Sequence, residues 1–228
     1  MEIRTDAVSK TYHLGIEEVR AVREVTLGLP TGDFVCLSGP SGAGKSTLLN
    51  LIGGLEQPDQ GRVFAGDKDL TVLGSEGLAM FRRHSVGFIF QSFRLLSALT
   101  AMENVIMPLV PLPGPEKEKR EKAMAALARV NIEHRANHLP GELSGGEQQR
   151  VAVARAIVNN PDIIIADEPT GELDRQNGQR IMELLRELNE KGSTTVLMAS
   201  HDPDVVAAAR RVVQMVDGRI ASEEKKEG

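Results

Sequence analysis

The stretch GPSGAGKST, residues 39–47, follows the apolar run FVCLS and gathers three glycines, a lysine and three hydroxyls. Gly39, Gly44, Lys45 and Ser46 fit G-x-x-x-x-G-K-[ST]. In that pattern backbone N–H groups surround phosphate oxygens, the ammonium neutralises charge and the hydroxyl holds Mg²⁺. The candidate phosphate-binding residues are therefore Gly39, Pro40, Ser41, Gly42, Ala43, Gly44, Lys45, Ser46 and Thr47. The alternative is a flexible glycine turn. Against it stands the placement after a strand and before STLLNLIGGL, whose helical spacing puts a partial positive charge at the loop. A loop so bare of side chains also has little to pack a core with.

Other strand ends carry further candidates. Asp167 and Glu168 close the run DIIIAD, where one carboxylate can help hold Mg²⁺ while the next polarises a water for attack on a terminal phosphate. An ordinary acidic turn is the bland alternative. Gln91 follows VGFIF and His201 follows TTVLMAS, where parallel strands deliver polar groups to a ligand edge. LSGGE, residues 143–147, is a second glycine-rich loop opening a helix and so a second candidate anion site. Ser144 and Glu147 also read as a capping box, which leaves Gly145 and Gly146 without a use. One nucleotide rarely needs two such cradles. Either the chain binds two anions, or two chains share each nucleotide.

The elements that position these residues read as an α/β chain. Residues 1–38 look like short β segments separated by turns, ending in FVCLS. Loop, helix and the strand VGFIF follow. From Ser92 to about Pro140 the pattern turns helical, with EKEKREKAMAALARV beyond the turn-rich PLVPLPGP. After LSGGE come the helix EQQRVAVARAIVNN, the strand DIIIAD, the helix QNGQRIMELLRELNE and the strands TTVLMAS and VVQMV, the last before a DG turn. The tail ASEEKKEG reads as frayed and solvated.

Composition narrows the function classes. The chain has 228 residues, 41% of them hydrophobic, enough for one sizeable core. A net charge of −5 argues against electrostatic binding of nucleic acid, and with no Trp and one Tyr there is no aromatic platform for single strands. Cys36 is the only cysteine, so no intrachain disulfide can form; it reads as a small buried strand residue in a reduced, cytosolic setting. The N-terminal segment lacks the apolar run of a secretory signal, and no stretch nears the ~18 apolar residues of a membrane span. Membrane association would have to pass through a partner.

Taken in order, GPSGAGKS, Gln91, LSGGE, IIIADE, ELD and His201 resemble the nucleotide-binding subunit of ATP-binding cassette (ABC) proteins over nearly the whole chain. LSGGE shortly before the IIIADE strand separates this family from other P-loop proteins, and the guanine-reading NKxD motif is absent. The resemblance implies one domain, 1–228: a P-loop NTPase core with a mixed sheet and an antiparallel β subdomain (1–91 and 141–228), and a helical insertion at about 92–140. It implies ATP and Mg²⁺ as ligands. Lys45 would contact the β- and γ-phosphates, Ser46 and Gln91 would coordinate Mg²⁺, and Asp167 would hold the ion through water. Glu168 would be the general base, His201 the γ-phosphate sensor and Tyr12 the stacking partner of adenine. Ser144, Gly145, Gly146 and Glu147 would face the γ-phosphate on the opposite subunit of a head-to-tail homodimer, with Asp174 at its interface. Glu172 stands where the family more often has serine or an asparagine-like residue.

Within the family, GFIFQSFRLLSALTAMENVIMPL and ADEPTGELD resemble the class serving lipoprotein release, macrolide export and cell division. HRANHLPGELSGGEQQRVAVARAIVNNP is most similar to the lipoprotein-releasing subunit, LolD. This implies an ATPase that drives export or lipoprotein extraction by dimer closure from the cytoplasmic side of the inner membrane. An integral membrane permease would dock near the helical insertion, with Phe93, Leu95, Leu96 and Met102 as candidate contacts. The alternatives are a macrolide, peptide-efflux or cell-division ATPase, and a soluble DNA-repair-type ATPase, whose usual coiled-coil insertion or second cassette is not seen here.

Overall fold

The computed structural model describes residues 1–15, 17–192 and 194–226. Strands β1 (Ile3–Leu14), β2 (Glu17–Leu29), β4 (Gln60–Ala65) and β5 (Lys68–Asp69) form an antiparallel sheet in the order β2-β1-β4-β5. The N-terminal β segments are thus two long strands, which sequence broke into short ones because β-bulges interrupt the alternation. At one irregularity Thr5 Oγ1 donates to the Val25 carbonyl at 3.1 Å and accepts from Leu27 N–H at 3.0 Å, replacing bonds the ladder loses.

The second sheet has six strands, ordered β10-β9-β3-β8-β7-β6. Its parallel part joins β3 (Phe34–Ser38), β6 (Val86–Phe90), β7 (Ile163–Asp167), β8 (Thr195–Ala199) and β9 (Arg211–Val216). Neighbouring side chains on these strands enter different cores. Phe34 and Cys36 of β3 join one, Val35 and Leu37 the other, and β7 and β8 divide in the same way. Covering both faces is why these segments read as unbroken apolar runs.

One core packs the sheet against α1 (Lys45–Ile52) and the antiparallel sheet. Gly53 ends α1, and a Cβ there would lie 2.6 Å from the Phe88 ring, so the helix can stop against β6 only without a side chain. The other core holds α5 (Gly145–Ile157), α6 (Arg175–Gly192), α3 (Ala101–Ile106) and α4 (Glu116–Arg129). Helices α2 (Ser75–Ser85) and α7 (Pro203–Ala208) complete the chain; α2 buries only Leu78 and Phe81, too sparse a stripe to stand out in the sequence.

The tail is a correction. Residues 219–225 form β10, antiparallel to β9, while Glu227 and Gly228 lie outside the described residues. Nearly all of β10 is exposed, so hydrophobic burial leaves no trace in its sequence. It is held by the backbone ladder and by buried Arg211, whose Nε donates to Glu223 Oε1 at 2.9 Å.

Cys36 is fully buried in central β3, and burial pushes its thiol up to about 11. At pH 8 only about 0.1% would be thiolate, the reactive form. Native protein is expected to resist Ellman's reagent and to titrate one thiol in guanidinium; native labelling at the rate of a small free thiol would contradict this burial.

Candidate active site

The glycine loop is shaped by contact as well as by bareness. Gly39 (φ 142°) and Gly44 (φ 94°) bring the main chain so near β9 and β2 that added Cβ atoms would sit 2.2 Å from the Met215 carbonyl oxygen and 2.0 Å from that of Ala21. The expectation that the loop has little packing role is therefore corrected for these two positions. Gly42 (φ 80°) meets nothing within 4 Å and leaves an open face. α1 follows with no side-chain cap and no acidic residue in its first turn, so its leading N–H groups are left to an anion. Lys45 is buried, and Nζ donates to the carbonyls of Gly39 (2.8 Å) and Pro40 (3.0 Å). An ammonium has three N–H donors, so this clasp aims the third.

Parallel pairing of β3, β8, β7 and β6 brings their C-terminal ends to one edge. There Ser46 Oγ, from α1, donates to Oδ1 of Asp167 at 3.0 Å. Burial raises the Asp167 carboxyl above its ordinary value and the Glu168 charge adds to this, against the Ser46 hydrogen bond and the Lys45 charge. Glu168 turns out of the strand with φ 46°, fixed by its N–H to the Ala199 carbonyl at 2.9 Å. Its Oε2 accepts from Ser200 Oγ at 3.0 Å, and its Oε1 lies 2.8 Å from His201 Nδ1. Gln91 reaches the same edge beside Gly171, where a Cβ would come within 3.0 Å of the amide.

Tyr12, Val19, Ala21, residues 40–47, Gln91, Asp167, Glu168 and His201 line one cavity of about 670 Å³, within the range of small-molecule sites. The donor set suits Mg²⁺. No cluster of three His, Cys, Asp or Glu ligands occurs among the described residues, and Mg²⁺ takes few protein oxygens while keeping waters and substrate phosphates. The Ser46 hydroxyl and Asp167 carboxylate, drawn together from two elements, are such oxygens. Tyr12 is partly buried; burial and its bond to Glu56 hold its phenol above the ordinary value.

Ser144, Gly145, Gly146 and Glu147 do not line this cavity. They open α5 with a complete capping box: Glu147 N–H donates to Ser144 Oγ at 3.3 Å and Ser144 N–H to Glu147 Oε2 at 2.8 Å. The Ser144 N–H, with help from Ser144 Oγ and Arg135 2.9 Å away, holds the Glu147 carboxyl below its usual range. Gly146 has a packing reason absent from the sequence, because a Cβ would lie 2.8 Å from the Asn177 side chain. Asn177 is in turn clasped by Asp174, with contacts of 3.0 and 2.6 Å. Fully buried Gln149 ties the same helix to the segment after Glu168, donating to the Pro169 carbonyl at 2.6 Å. Sequence reading missed Gln149 and Ser200. The adjacency of Ser200 to His201 was a usable signal, whereas a glutamine within an apolar helix face gave none.

The family model for the ABC transporter matches residues 22–171. The uncharacterized ABC transporter ATP-binding protein MJ0796 of Methanocaldococcus jannaschii is 45% identical over 232 residues, covering 99% of this chain and 98% of that protein. The macrolide export ATP-binding/permease protein MacB of Burkholderia pseudomallei is 44% identical over 216 residues, covering 95% of this chain but 33% of that longer protein. The solved dimer of the MJ0796 cassette, in a post-hydrolysis state bound to ADP and Pi, superposes with a TM-score of 0.92 at 43% identity, covering 99% of both chains.

Were Asp167 to hold the cation, its protonation would weaken that hold, and burial places the loss above the ordinary 3.8. With nucleotide present, the ratio of wild-type to Asp167→Asn affinity for Mn²⁺, read by paramagnetic resonance and free of the nucleotide's own phosphate titration, is expected to fall on acidification before an unperturbed carboxylate would titrate. A ratio constant down to the ordinary carboxylate range would contradict the assignment.

Proposed function

This chain belongs to the ABC transporter family and is an ATPase subunit of that kind; from that premise we propose that it hydrolyses MgATP at a site shared by two copies and drives a membrane partner. The observation that carries the reading is the Ser46–Asp167 pair beside Glu168 at the floor of the cavity. A cation ligand set and a base there meet a phosphate loop.

In this reading the loop N–H groups and Lys45 bind the β- and γ-phosphates, and Tyr12 stacks on the base. Ser46, Gln91 and Asp167 would hold Mg²⁺, which when bound neutralises charge developing on the transferred phosphoryl group. Glu168 takes the proton of the attacking water, and Ser200 and His201 fix its two carboxylate oxygens. His201 holds Glu168 through Nδ1, 2.8 Å from Oε1, and its other ring nitrogen is left for the terminal phosphate. Ser144, Gly145, Gly146 and Glu147, outside their own chain's cavity, meet the nucleotide held by the second copy, with Asp174 at the interface. The described division of labour, 1–91 and 141–228 for the nucleotide and about 92–140 for docking, belongs to the same proposal.

The membrane partner docks beside the insertion and holds the subunit at the cytoplasmic face. Met102 is withdrawn from the candidate contacts because it is buried in the core, and Leu95 packs against the same core. Phe93, half-buried, and Leu96, 49% exposed, remain. A groove of about 440 Å³ nearby has Phe88, Phe90, Pro108 and Pro111 along it and Arg82, Arg83, Arg94 and Arg155 at its walls. It fits an amphipathic segment bearing carboxylates. The cargo is that of an export or lipoprotein-extraction complex, macrolide or peptide efflux being the nearest alternatives.

Glu168→Gln is expected to bind MgATP, lose at least ~100-fold in turnover and accumulate as a dimer in light scattering. Undiminished hydrolysis would reject Glu168 as base. Lys45→Ala should lose ATP binding in calorimetry, and wild-type affinity would count against the phosphate loop. Arg83→Glu, co-expressed with the membrane subunit, is expected to keep soluble turnover and lose the complex; an intact complex would reject the groove.

A further inference from the structure

Tyr12, which brings the one phenol to the cavity, is positioned by a residue outside it. Tyr12 O–H donates to Glu56 Oε2 at 2.5 Å, and the other oxygen, Oε1, accepts from Asn50 Nδ2 at 2.8 Å. Asn50 lies in α1, whose first turn carries Lys45 and Ser46. The Asn50 carbonyl also accepts from the backbone N–H groups of Leu55 (2.9 Å) and Glu56 (3.3 Å), so the carboxylate is fixed to the helix at both main chain and side chain. The segment that follows grips the same strand again. Asp59 Oδ2 accepts from Thr11 N–H at 2.7 Å, and Lys10 Nζ donates to the Gln57 carbonyl at 2.9 Å and to Asp59 Oδ1 at 3.1 Å.

We propose that Glu56 is a positioning residue for nucleotide binding: it locks the Tyr12 ring to α1, so that the base platform and the phosphate loop are held at a fixed separation by one rigid helix. The physical basis is the cost of ordering. A ring on the rim of an open cavity must surrender rotamer freedom on stacking, and a carboxylate that has already fixed its phenol removes that cost from binding. A hydrogen bond to an ionised acceptor is strong enough for this. Glu56 touches neither phosphate nor base, so its loss should act on affinity and spare the chemical step. The proposal rests on the reading of Tyr12 as the base's stacking partner.

The chain has one tyrosine and no tryptophan, so emission excited at a wavelength its phenylalanines do not absorb reports on Tyr12 alone. A carboxylate bonded to a phenol quenches that emission. Tyr12→Ala tests the premise first: unchanged ATP affinity in calorimetry would overturn the stacking reading and the proposal with it. Given a loss there, Glu56→Ala is expected to brighten emission, raise Kd and KM for ATP about fivefold, a fraction of what base stacking supplies, and leave kcat at saturation within about twofold. Glu56→Gln, whose amide oxygen still accepts from the phenol once the Asn50 amide turns its oxygen toward the new NH2, should restore most of the affinity. Tyr12→Phe should match Glu56→Ala, and the double variant should lose no more than either. Wild-type affinity in Glu56→Ala beside a defective Tyr12→Ala, or additive losses in the double variant, would overturn the proposal while leaving Tyr12 in its role.

Discussion

Close backbone approach is the constraint on which both fold and site depend. The main chain at Gly39 and Gly44 passes so near the Met215 and Ala21 carbonyls that no side chain fits at either point. Those contacts join the end of β9, the antiparallel sheet and the start of α1 around one loop. An ordinary residue would need a left-handed conformation and a displaced strand together. The same squeeze turns the first turn of α1 toward the cavity, so the geometry that makes the loop difficult to build also makes it an anion cradle. In the proposed function, phosphate binding and strand packing are two uses of one loop.

Charge is arranged so that each candidate reactive group is held by hydrogen-bond partners. Lys45 is clasped by its own loop, Asp167 by Ser46, and Glu168 by Ser200 and His201. Preorganised dipoles of this kind need little rearrangement as charge develops. The positive φ of Glu168 belongs to the same pattern, since it turns the carboxylate out of the line of β7 and onto Ser200 and His201 at the edge of the cavity.

The helix opened by Ser144 has its capping requirement met within the chain, yet its start lies outside the chain's own cavity. Gly146 against Asn177, Asp174 around Asn177, and Gln149 on the Pro169 carbonyl bind that helix start to the segment leaving Glu168. If a second copy lends its nucleotide to this helix start, each subunit's contact with its partner's ligand is mechanically continuous with its own base. Packed interiors transmit displacement because they are dense and stiff.

Local chemistry was legible in the sequence wherever a residue's role follows from its immediate neighbours. The phosphate loop, the carboxylates after IIIA, the capping box at Ser144 and the buried strands with apolar residues on both faces are all short-range patterns, governed by hydrogen-bond geometry and burial within a few residues. Residues 221–225 were misread because an exposed edge strand is held by backbone bonds that any side chain permits. Met102 looked available because helical spacing marks an apolar residue without saying which neighbour covers it. Tertiary structure alone decided that Gly146 faces Asn177, that Glu56 meets Tyr12 across 44 positions and that Ser46 meets Asp167 across 121. Such pairs depend on strand order and helix placement, and a linear sequence encodes these only through the sum of weak contacts over the whole chain.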